Sequence, residues 1–103
     1  MKETELLVEE LSDALLQLPE VIGFFKARDE INQNEYLQKV LRLKIFHQKK
    51  LLKNKNNVLK RDYHQRLYDK YAHAYDQSPL VKNYLYLRDI VYDLLMQIKT
   101  IIE

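Results

Sequence analysis

The stretch from Ser78 to Ile102 most constrains what this chain can fold into. Leu80, Tyr84, Leu87, Val91, Leu94, Ile98 and Ile101 recur at alternating spacings of four and three. That is the a/d heptad pattern of a helix that packs along its length against other helices. At about 100° per residue these positions share one stripe, which Ile90, Leu95 and Ile102 widen. Asn83 is the only strictly polar residue placed inside it. Ser78 is a favoured N-cap, and Pro79 suits the first helical position, where its missing N–H costs nothing. Such a helix is not stable alone in water, so the rest of the chain or a second copy must cover it.

The remainder of the chain is equally helical in character. One Gly and two Pro in 103 residues leave little room for hairpin turns. Leu occurs 18 times, more than Val, Ile and Thr together, which favours helix over strand. The length fits a single domain, residues 1–103. No apolar run is long enough to cross a bilayer, and acids at Glu3, Glu5, Glu9, Glu10 and Asp13 are unlike a targeting segment. With no Cys, disulfides, thiolate metal sites and Cys nucleophiles are all excluded. The expected compartment is the cytoplasm.

The order of elements follows from apolar spacing and breakers. Residues 3–17 read as a helix with Leu7, Leu11, Ala14 and Leu18 in one row. Leu18 precedes a proline and resists the α conformation, so Pro19 opens a second helix running to about Ile31. Gly23 inside it costs about 1 kcal/mol relative to Ala, and close backbone packing would account for it. Asn32 with Glu35 has capping-box spacing, and Asn34 is the alternative cap. A third helix then runs to about Asn54. The tetrad Asn54 to Asn57 suits a turn, and a fourth, tyrosine-bearing helix spans roughly 58–76. The predicted fold is therefore all-α: a bundle of about five helices, built on a long antiparallel helical hairpin with shorter N-terminal helices.

Charge is distributed in blocks. Residues 1–35 hold nine acids and three bases, residues 36–61 nine bases and no acid, and residues 62–103 six acids and five bases. On the third helix Lys39, Arg42, Phe46, Lys49 and Lys53 are spaced three, four, three and four, with Lys50 beside them. This basic stripe with one aromatic reads as a surface for an acidic protein partner or for RNA phosphates, with Phe46 as a contact residue. Its plainer reading is a solvated face offset by the acidic N-terminal helices. Lys44 and Gln48 fall within the apolar arc of the same helix. Tyr63, Tyr68, Tyr71 and Tyr75 suit a protein interface.

Catalytic constellations are lacking. Asp69 and His73, at i and i+4, offer two metal ligands and no third. Asp89 and Asp93 lie opposite the apolar stripe on a solvated face. No Gly-rich phosphate loop and no nucleophile elbow occurs. The expectation is a chain without enzymatic activity, cofactor or metal.

Two segments carry a family resemblance. They are Pro19-Glu20-Val21-Ile22-Gly23-Phe24-Phe25-Lys26, continued by Ile31-Asn32-Gln33-Asn34, and Ser78-Pro79-Leu80-Val81-Lys82-Asn83-Tyr84 leading into the apolar helix. With these the chain resembles the YlbF/YmcA family of competence and biofilm regulators of Firmicutes, its YmcA-like branch above all. The resemblance implies an all-α, usually oligomeric protein with no enzymatic activity. It also implies partners: a homodimer or higher oligomer, YlbF-like and YaaT-like proteins, and RNase Y. Through these, mRNA processing, competence, sporulation and biofilm formation are tuned. Some such complexes hold iron–sulfur clusters through cysteines, and no Cys here answers to those ligands. The functional expectation is a regulatory adaptor that oligomerises and binds protein partners. The alternative is a direct RNA-binding module using the basic face of the third helix.

Overall fold

The computed structural model describes residues 2–102 and the side chains of residues 2–101; the expectation that Ile102 widens the C-terminal stripe lies outside the described side chains. Five α-helices follow one another: α1 (Lys2–Leu16), α2 (Pro19–Gln33), α3 (Glu35–Lys53), α4 (Val58–Asp76) and α5 (Pro79–Ile102), with no strand among the described residues. The all-α fold is thus as the sequence predicts.

The breakers act where they stand. The Leu18 carbonyl accepts from the N–H groups of Val21 and Ile22 at 3.1 and 3.0 Å, so α2 starts on the proline. Ser78 plays the same part for α5, its carbonyl accepting from Lys82 N–H at 3.0 Å. Between α2 and α3, Asn34 is the cap, its Oδ1 accepting from Leu37 N–H at 2.9 Å. The capping-box reading at Asn32 is corrected: α2 continues through Asn32 to Gln33, and Asn34 has the extended backbone that an N-cap needs. Gln38 Nε2 donates to the Ile31 carbonyl at 2.9 Å and closes this junction. The asparagine tetrad divides its labour, Asn54 ending α3 and Asn57 capping α4.

The helices gather into two compact units. The first takes residues up to Asp29 and from Asn83 onward. In it α2 lies on α5. Phe24 stacks on Tyr84 with ring centres 5.2 Å apart and planes 20° apart. A Cβ on Gly23 would meet Leu87 Cδ1 at 3.5 Å, an ordinary contact, so close backbone approach is not the reason for this glycine. Leu11, Ala14, Leu15 and Leu18 face Leu94, Ile98 and Ile101 across an open apolar groove of about 220 Å³. No α1 residue is buried.

The second unit, Glu30–Lys82, contains the helical hairpin. α3 and α4 run antiparallel: Tyr36 and Val40 share a cleft with Tyr71 and Ala74, Lys44 meets Tyr75, and His47 meets His64. Ile31, Leu37, Val40, His47 and Val81 are its buried residues.

The C-terminal stripe is only half-buried from Leu80 to Ile98, and Asn83, Leu95 and Ile101 are exposed. Among the described side chains of α5 only Val81, next to the stripe, is fully buried. The a/d pattern therefore marks the helix's contact side, while the tightest packing lies elsewhere.

Candidate functional site

On α3, burial recurs at Leu37, Val40, Lys44, His47 and Leu51, again at three and four, with Lys44 and Leu51 half-buried. The inward side of the helix thus includes a histidine and a lysine. Gln48, assigned to the apolar arc by sequence, is exposed. Lys44 lays its stem along the hairpin and holds its ammonium 5.7 Å from the centre of the Tyr75 ring, a cation–π contact that offsets part of its lost hydration.

His47 is 6% exposed, and its Nδ1 lies 2.9 Å from His64 Nδ1. At that separation one ring donates Nδ1–H and the other accepts through a bare Nδ1. The pair is walled by aromatics. Tyr71 stacks on His47 at 5.8 Å and 13°, while Phe46 and Tyr63 meet it edge-on at 5.1 and 6.4 Å. Burial, and then the neighbouring His64, hold the His47 pKa below the ordinary histidine value.

With α3 turned this way, the predicted stripe faces out. Lys39, Arg42, Phe46, Lys49 and Lys53 are exposed and Lys50 is half-buried. The structure divides them into two patches. Lys39 and Arg42 line a depression at the α2–α3 junction with Asn32, Gln33, Glu35 and Gln38. Phe46, Lys49, Lys50 and Lys53 gather around an open groove of about 560 Å³ with Leu52. Here Phe46 is 49% and Leu52 65% exposed. Lys50 Nζ sits 5.6 Å over the Phe46 ring, fixing an ammonium above an apolar surface. None of these bases is in an ion pair among the described residues; the three pairs there join the sequence neighbours Arg28–Asp29, Arg61–Asp62 and Arg88–Asp89.

Leu52 is a groove residue that the basic spacing of α3 does not single out. Its exposure follows from standing three residues beyond Lys49, on the outward side. The tyrosines of α4 are also redistributed: Tyr71 and Tyr75 turn into the hairpin, and of the four only Tyr63 is exposed. Asp69 accepts from Gln65 Nε2 at 2.8 Å. Among the described residues no three His, Cys, Asp or Glu side chains converge as metal ligands, and no helix is long and apolar enough to cross a membrane.

No curated protein and no solved structure matches the chain significantly. A family profile described as control of competence regulator ComK, YlbF/YmcA, matches residues 6–103. That span takes in most of α1 and all of α2 to α5, so the chain belongs to the YlbF/YmcA family of competence regulators.

Proposed function

We propose that the chain is a non-catalytic adaptor. In this reading it oligomerises and offers the Phe46–Lys49–Lys50–Leu52–Lys53 groove to a protein partner. It acts in the cytoplasm with YlbF-like and YaaT-like proteins to modulate RNase Y-dependent mRNA processing, and so competence, sporulation or biofilm formation. The observation that carries the reading is the exposure of Phe46 and Leu52 amid three lysines. A large aromatic and a leucine left in water beside lysines fit an apolar anchor ringed by charge, the usual anatomy of a protein contact.

The test is capture of purified YlbF-like protein, YaaT-like protein and RNase Y by the wild-type chain and by Phe46→Asp. The variant should keep its helical circular dichroism and lose capture. Equal capture by both proteins would remove the groove from partner binding. Lysines on a helix face also attract phosphates, so single-stranded RNA is titrated at two salt concentrations. Tight binding that weakens steeply with salt would favour the RNA-binding module.

A further inference from the structure

The α3 groove has a counterpart on the same chain. α1 carries five acids and one base, whereas α3 carries six Lys or Arg and one acid. α1 has two sides. Leu11, Ala14 and Leu15 face the groove shared with α5. Leu6, Glu9, Asp13 and Leu16, spaced three, four and three, form the opposite stripe. Leu6 is 56% and Leu16 55% exposed, and both acids between them are exposed. On α3 the run Phe46, Lys49 and Lys53 repeats the three-and-four spacing of Leu6, Glu9 and Asp13, with opposite charge. At 1.5 Å per residue each of these two runs spans about 10 Å.

We infer that the α3 face of one copy docks the outward stripe of α1 of a second copy, head to tail. This deepens the adaptor reading and rests on it, since the α3 groove is the surface offered to a partner there. Docking is helix-in-groove: Leu6 meets Phe46, and Glu9 and Asp13 meet Lys49 and Lys53. The two faces are different surfaces of one chain, so the contact is heterologous and grows into chains or closed rings. A docked α1 covers the groove, so self-association and partner capture compete.

Two charge-reversed proteins test this. One carries Glu9→Lys and Asp13→Lys, the other Lys49→Glu and Lys53→Glu. All four positions are exposed, and circular dichroism checks that both variants fold. In sedimentation velocity the wild type should self-associate, more weakly as salt rises. Each variant alone should lose about tenfold or more in association constant, and the equimolar mixture should regain it. A monomeric or salt-insensitive wild type, undiminished variants, or a mixture that stays dissociated would each overturn the proposal. Partner capture by the Glu9→Lys/Asp13→Lys protein reports separately on the adaptor reading, because its α3 face is intact. That protein should capture partner at least as well as the wild type; weaker capture would overturn the competition.

Discussion

The His47–His64 contact was hidden in the sequence because both residues looked like ordinary polar members of helices. The signal was present in the spacing, since His47 continues the row of Leu37, Val40 and Lys44. Counting only apolar residues passes over it, and the counterpart His64 is set by the hairpin register. The pair carries a prediction about pH. The folded-state pKa of His47 is depressed, so the unfolded chain takes up a proton first as pH falls. Its contribution to stability is complete above the unfolded value of about 6.5 and is lost as pH drops from there to the folded value. His47 should therefore leave stability to urea unchanged above neutrality and weaken it progressively as pH falls below about 6.5. The His47 ring should titrate by NMR below the ordinary value; a titration at or above it would contradict the assignment. Gly23 gives a second residue-scale expectation. Its backbone is helical with ordinary φ and a methyl has room, so Gly23→Ala should stabilise the fold by about 0.5–1 kcal/mol in denaturant unfolding.

At the scale of elements, the breakers made the fold legible. Pro19, Pro79 and the asparagine tetrad each act through a local backbone rule that holds whatever the tertiary context. The choice between Asn32 and Asn34 went the other way because the Gln38–Ile31 hydrogen bond, seven residues apart, favours a longer α2. Asn34→Ala should cost about 1 kcal/mol, more than Asn57→Ala. Asn57 caps through a longer, exposed 3.2 Å bond, whereas that of Asn34 is 2.9 Å and half-buried. Thermal unfolding of the two variants measures the difference. The basic stripe of α3 was legible in full, since exposed lysines follow directly from helical spacing. Its division into two patches was not, because Glu35 and Gln38 on one side and Leu52 on the other depend on which way the helix is turned.

For the whole molecule, the contrast between α1 and α3 predicts how protection is distributed. α3 holds Leu37, Val40 and His47 buried, while α1 has no buried residue. Amide hydrogen exchange at neutral pH should be slowest in the middle of α3 and fastest in α1, with α5 slower near Val81 than near Ile101. Equal protection of α1 and α3 would refute that ordering. The heptad stripe announced that α5 needed company but could not rank its contacts, because apolar spacing reports direction and not depth. Depth depends on what neighbouring helices bring, and α1 brings a row that leaves its groove with α5 open.

The division into two units also has a meaning in time. The Glu30–Lys82 unit is continuous in sequence, whereas the other is assembled from the chain's beginning and its end. During synthesis the hairpin has all its residues once α4 and the start of α5 have left the ribosome. α1 is made first, yet its groove partners Leu94, Ile98 and Ile101 come last. At roughly 5–20 residues per second, its acidic, leucine-bearing helix waits on the order of ten seconds for them. Throughout that interval its α5-facing row is available to any chaperone or neighbouring nascent chain that meets it.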